Sequence, residues 1–275
     1  MATDTATARE QQVADKHRAM WASGDYPRLA AELVAPLGQT LVEALAIRPG
    51  DRVLDVAAGT GNAAIPAART GATVTASDLV PDLLAHGRAL ATAAGIELDW
   101  REANAHDLPF GDNDFDVVMS CIGVMFAPFH ERAADELVRV CRSGGRLGLI
   151  NWTPEGHIGT LFSTMKPFMA PPPPGAQPPP LWGREEHVRK LLGDRVTDLT
   201  AERRTLPVGH FGDGAAFRDY FKAVYGPTIA AYRNVADDAH RTAELDAAIA
   251  GIGDDFLRDS PVMEWEYLLV TARVA

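Results

Sequence analysis

Two carboxylates bracket a glycine turn early in the chain. Asp55 lies in Val53-Leu54-Asp55-Val56, Asp78 in Thr75-Ala76-Ser77-Asp78-Leu79, and Gly59-Thr60-Gly61 falls between them. Gly59 and Gly61 reach backbone conformations closed to other residues and leave room for a ligand against the main chain. An acidic residue at the position of Asp78 accepts both hydroxyls of a ribose; its competing role is a helix cap for the segment after Pro81. The turn and the following Asn62-Ala63-Ala64 fit the G-x-G-x-x-G/A dinucleotide pattern, so a nicotinamide cofactor is one reading. Asp55 argues against it. A carboxylate four residues before the first glycine is badly placed beside a pyrophosphate, and it suits a ligand that carries an ammonium and a sulfonium. A tight turn with no ligand is the third reading.

Strands must deliver both carboxylates to one edge. Val53, Leu54 and Val56 form an apolar run of the kind found in a strand buried on both faces. Asn62 is placed to cap a helix over 63–68, with Pro66 tolerated in its first turn. Strand and helix signals then alternate: strand 72–77, helix 81–94, strands 96–102 and 115–120, helix 129–142 and strand 146–151. Ser143-Gly144-Gly145 makes the turn into the fifth strand. This alternation predicts an α/β fold, a mostly parallel sheet with right-handed crossovers and helices on both faces. Ahead of it, helices are expected over 11–22 and 27–46, where Leu29, Leu33, Leu37, Leu41 and Leu45 recur at helical spacing. Residues 1 to about 10 read as disordered. Residues 170–180, rich in proline, read as extended polyproline surface.

Residues 103–116, Ala-Asn-Ala-His-Asp-Leu-Pro-Phe-Gly-Asp-Asn-Asp-Phe-Asp, resemble the D-A-x-x-L-P-F-x-D-x-x-F-D stretch of the methyltransferases of ubiquinone and menaquinone biosynthesis. Together with the D-x-x-x-G-x-G of 55–61, the chain resembles the class I S-adenosylmethionine (SAM) dependent methyltransferases over roughly 45–152. The resemblance implies a Rossmann-like sheet closed by an antiparallel hairpin, for which 196–208 and 262–273 are the strand candidates, with helical insertions. It implies SAM as cofactor, held by Asp55, Ala57, Gly59, Gly61, Asp78, Leu79, Asn104, Ala105 and Cys121. Asn104 replaces the family's usual Asp at the adenine amino group, and its amide oxygen still accepts a hydrogen bond. The Ala105 N–H reaches a ring nitrogen, and the strand end at Cys121 underlies the methionine part. Ala57 stands where the family often has a glycine. N-terminal helices fold over the cofactor in this family, which brings in Trp21 and Tyr26; the other reading makes these two rings core anchors. The chain then reads as one domain over 1–275: N-terminal helices 1–46, cofactor core 47–152, and insertions 153–195 and 209–260 forming a substrate lid or, alternatively, an oligomer interface.

A sulfonium methyl is already activated, so the main task is to hold a nucleophile in line with it. A hydroxyl, amine or acidic carbon also needs a base. His130 and His157 lie nearest the ends of the fourth and fifth strands and are the candidates, helix-capping or surface positions being their other reading. Cys121 has no basic neighbour in sequence to activate it as a nucleophile. The insertions and their borders supply Trp152, Phe162, Phe168, Trp182, Phe211, Phe217, Tyr220, Phe221, Tyr225 and Tyr232, material for an apolar pocket that takes a small, aromatic or polyketide-like metabolite. A protein that binds SAM without methylating remains the alternative. The net charge of −11 over 275 residues argues against nucleic acid as partner. No run approaches membrane-spanning length, the N-terminus lacks a signal-peptide core, and two cysteines make no disulfide framework, so a cytoplasmic monomer or homodimer without metal is expected.

Overall fold

The computed structural model describes residues 12–275 with their side chains. Residue 1 lies outside the described residues, and from Ala2 the backbone is helical where disorder is expected over residues 1 to about 10. Helix α1 is Ala2–Trp21 and helix α2 is Tyr26–Leu29, with Pro27 at its start. A π-turn over Ala30–Val34 then leads into α3, Ala35–Ala44. The single helix expected over 27–46 is therefore interrupted. Pro36 has no N–H to offer the carbonyl four residues back, and the chain widens there instead of continuing an α-helical ladder.

The core alternates as its pattern predicts: β1 Arg52–Val56, α4 Ala64–Arg69, β2 Thr73–Asp78, α5 Pro81–Ala93, β3 Asp99–Glu102, β4 Phe115–Cys121, α6 His130–Val140 and β5 Cys141–Trp152. Ser143-Gly144-Gly145 lies inside β5, where the β4–β5 register shifts between Phe115 and Val117, and is no separate turn. After β5 come α7 His157–Met165, α8 Glu185–Leu192, β6 Val196–Val208, α9 Gly214–Val224, α10 Gly226–Val235, α11 Ala239–Leu257 and β7 Met263–Val274. The proline run carries neither helix nor strand until a short 3-10 turn, Pro179–Gly183, which buries Trp182.

One seven-stranded sheet has the order β3-β2-β1-β4-β5-β7-β6. β1 to β5 pair in parallel, and β7 runs antiparallel to both β5 and β6. The order reverses between β1 and β4, where α/β sheets hold ligands at the carboxyl edge. Val53, Leu54 and Val56 are at most 1% exposed, so burial stabilises this central strand strongly. Among the described residues no helix is long and apolar enough to cross a membrane.

Candidate functional site

A cavity of about 210 Å³ opens at the carboxyl edge above the strand-order reversal. Its floor is the β1 turn. Asp78, at the end of β2, accepts hydrogen bonds from Gly59 N–H (2.8 Å) and Val80 N–H (2.9 Å), while α5 starts without a side-chain cap. The capping role considered for Asp78 is thus not the one it takes. Gly59 sits at φ +57° with open space where a Cβ would stand. Ala57 and Ile122, both lining the cavity, hold φ +55°. Such conformations cost non-glycine residues energy and concentrate at functional sites. Gly123 lets the two loops approach: a Cβ there would lie 2.3 Å from the Ala57 carbonyl oxygen.

Trp21, Tyr26, Ala57, Gly59, Asp78, Leu79, Asn104, Ala105 and Cys121 all line the cavity. Asp55 and Gly61 do not. A Cβ on Gly61 would meet the Trp100 ring at 2.7 Å, so Gly61 closes the turn onto the core. Asp55 lies behind the wall, 1% exposed, with no hydrogen bond to either carboxylate oxygen. Burial raises its pKa to about 8; the Ala64 amide opposes the shift without making a well-directed bond, and Asp78 adds to it. The Cys121 thiol, within electrostatic reach of Asp55, is pushed up by burial and remains protonated. Asn62 does not cap α4. Its Nδ2 donates to the Val34 carbonyl at 3.1 Å, joining the glycine turn to the π-turn, and α4 begins at Ala64 with no side-chain cap. Asn104 Oδ1 accepts from His106 N–H at 3.0 Å, which shapes the loop after β3.

The roof comes from α1 and the insertions. Val13, Ala14, His17 and Trp21 share one face of α1 at helical spacing and line the cavity. Arg18, on the flank, donates from Nε to the Leu79 carbonyl at 3.0 Å and pairs with Glu102 at 2.5 Å. The Trp21 ring lies 4.4 Å from Phe126, 5.4 Å from Tyr26 and 6.3 Å from Tyr225. The turn after α1 is clasped to the α9–α10 junction by Asp25 N–H on the Val224 carbonyl (2.9 Å) and Gly226 N–H on Tyr26 Oη (3.2 Å).

His130 and His157 stand off this wall. His130 is fully buried, its Nδ1 2.9 Å from His187 Nε2 and its ring against Trp182; burial, then His187, lowers its pKa to about 3. His157 packs against Phe256, the ring centroids 4.2 Å apart and the planes tilted by 55°. The basic groups on the wall are His17, His106 and Arg132 instead. His106 Nε2 accepts from Phe129 N–H, and burial, then Arg132, lowers its pKa to about 4. Helical spacing back from Trp21 points to His17, whereas nothing local marks Arg132. Of the ten aromatics from the insertions and their borders, Trp152, Phe221 and Tyr225 face the cavity, and Trp182 and Phe217 are core. Among the described residues no three His, Cys, Asp or Glu are grouped to hold a metal.

The chain matches the model of a methyltransferase domain over residues 54–149. It is 54% identical over 273 residues to an uncharacterized protein of Mycobacterium tuberculosis, covering 99% of both chains. A demethylmenaquinone methyltransferase of Thermus thermophilus is 37% identical over 126 residues, 43% of this chain and 57% of that one. The solved structure of a geranyl diphosphate methyltransferase in complex with SAM matches at a TM-score of 0.53 and 18% identity, over 88% of this chain and 85% of that one, a likeness of fold. These matches leave the nicotinamide reading without support, and SAM is the cofactor. With its sheet order, its carboxyl-edge cavity and the methyltransferase domain over its core, the chain belongs to the class I SAM-dependent methyltransferases.

Proposed function

We propose that the chain methylates a small, apolar or aromatic metabolite. The observation that carries this reading is one continuous cavity. At one end stand Gly59, Asp78, Asn104 and Ala105; at the other, Trp21, Tyr26, Phe126, Trp152, Phe221 and Tyr225. Bound there, SAM supplies a methyl group activated by its sulfonium. The chain's own residues fit such a ligand. Asp78 would take the ribose hydroxyls while keeping its bonds to Gly59 and Val80. Asn104 and Ala105 would meet the adenine edge, and the open space over Gly59 leaves the main chain approachable. Asp55 is a buried carboxyl group without a partner, and a cationic ligand beside Cys121, which lines the cavity within electrostatic reach of Asp55, would relieve that cost. The aromatic end would exclude water and orient the acceptor, where positioning contributes several orders of magnitude in rate.

Incubation with methyl-labelled SAM and a panel of planar and aliphatic acceptors, read as labelled product and S-adenosylhomocysteine (SAH), tests the proposal. Label in an apolar acceptor is the expected result. SAM binding without transfer to any acceptor would put the non-methylating alternative in its place.

A further inference from the structure

Tyr225 stands between α9 and α10, held by rings on several sides: Phe221 at 5.6 Å, Phe162 at 6.2 Å, and Trp21 and Tyr26 at 6.3 Å each. Tyr26, the other tyrosine among the described lining residues, has a partner for its oxygen, as does Tyr232 off the wall, whereas the Tyr220 oxygen has none and is sealed in the core. Tyr26 accepts from Gly226 N–H, and Tyr232 donates to Asp246 at 2.6 Å. The Tyr225 hydroxyl has none among the described residues, yet it is not one of the polar atoms sealed inside the core. The residue is 6% exposed and lines the cavity, so the space its oxygen meets is the cavity itself. An unpartnered hydroxyl in an apolar chamber is costly unless a ligand completes it.

Charge narrows the ligand. The walls around Tyr225 (Trp21, Phe126, Trp152, Ile158, Phe221 and Trp265) are uncharged. The one carboxylate among the described lining residues is Asp78, on the floor, and the other charged or titratable nitrogen groups are the basic His17, His106 and Arg132. An ammonium in the aromatic end would be desolvated beside a cofactor that already carries a cation, and the one lining carboxylate within electrostatic reach, Asp78, is already engaged by the Gly59 and Val80 amides. Burial also drives the Tyr225 pKa well upward, which keeps the phenol neutral and able to donate.

Building on the methyltransferase reading, we propose that Tyr225 is a specificity-determining residue. Its hydroxyl donates a hydrogen bond to an oxygen of the acceptor, and the chamber selects uncharged, oxygen-bearing acceptors over ammonium-bearing ones.

The test uses SAH-loaded protein and three ligands of one shape: 2-acetylnaphthalene, 2-ethylnaphthalene and 1-(2-naphthyl)ethylammonium, titrated by calorimetry. The wild-type protein should bind the ketone roughly fivefold or more tightly than the hydrocarbon, the contribution of one neutral hydrogen bond, and the ammonium most weakly. In Tyr225→Phe the ketone's advantage should fall to about onefold, with hydrocarbon and SAH affinities changed by no more than about twofold. Retained hydrocarbon binding reports an intact chamber; should the phenylalanine variant fail to fold, Tyr225→Met takes its place. The proposal is overturned if the ketone's advantage survives the substitution, if the ammonium binds as well as the ketone, or if SAH affinity drops tenfold, which would assign the hydroxyl to the cofactor. It is also overturned if none of the three binds SAH-loaded wild-type protein. Failure of the wild-type protein to bind SAM or SAH at all would instead count against the cofactor site.

Discussion

The backbone N–H of Gly59 donates to Asp78 Oδ2 at 2.8 Å, so the carboxylate ending β2 fixes the turn that follows β1. Its other oxygen accepts from Val80. One side chain therefore shapes the floor of the cavity, and its remaining lone pairs are the ones a ribose would take. Asp78→Ala should weaken SAM binding by ~10-fold or more in calorimetry, since a hydrogen bond to a charged group contributes about 1.5–3 kcal/mol. Unchanged affinity in a folded variant would reduce Asp78 to a staple of the turn.

Asp55 makes stability depend on pH. Its folded pKa is raised to about 8 by burial, above the usual carboxylate value, so the folded state holds a proton that the unfolded state releases. Stability of the free protein should fall as pH rises from ~4 toward 8, and level off above that. Asp55→Asn should flatten this slope in denaturant titrations at pH 5, 6.5 and 8. SAM, as a cation, should bind the wild-type protein more tightly as pH rises across the same window and show a weaker trend with the variant. Parallel stability profiles for the two proteins would mean Asp55 is already ionised in the fold.

The floor stores strain that can be released. Ala57 holds φ +55°, a conformation that costs a residue with a Cβ about 1 kcal/mol or more. Ala57→Gly should leave stability unchanged or raise it by up to about 1 kcal/mol, the greater freedom of glycine in the unfolded chain offsetting part of the gain. Gly123→Ala should do the opposite, because its Cβ would fall 2.3 Å from the Ala57 carbonyl oxygen. Denaturant midpoints for the pair provide the check; equal, small effects would show that the two loops move apart freely.

Much of this architecture is legible in the residues, for definite reasons. The apolar runs at Val53–Val56 and Val117–Met119 are buried on both faces, so burial alone marks them, and the hairpin candidates 196–208 and 262–273 match β6 and β7 closely. The π-turn was not legible. Pro36 marks a weak point in the helix, but its repair depends on Asn62, far along the chain, reaching the Val34 carbonyl. Nor were the histidines. Closeness to a strand end does not determine which way a helix faces, and α6 turns His130 toward Trp182 and His187. Gly61 shows the same limit, since a glycine freed for ligand approach and one freed for a tryptophan ring look identical in sequence.

The clasp between the turn after α1 and the α9–α10 junction should govern access to the cavity. Gly24 and Gly226 meet there with no room to spare: a Cβ on Gly24 would lie 2.6 Å from the Val224 carbonyl oxygen, and one on Gly226 2.5 Å from that of Met20. The same junction carries Tyr225 and the same turn carries Tyr26, so both halves of the clasp line the cavity. Segments that cover a ligand cavity commonly open and close with ligand. SAM or SAH should therefore slow amide exchange over Trp21–Tyr26 and within 209–260, not only along the 52–126 core. Gly226→Ala should push the two segments apart, raise their exchange rates in the free protein and speed SAH dissociation, while exchange in β1 and β4 stays as it was. If cofactor protects only 52–126, and dilution of the protein exposes 209–260, the second insertion is a subunit interface and not a lid.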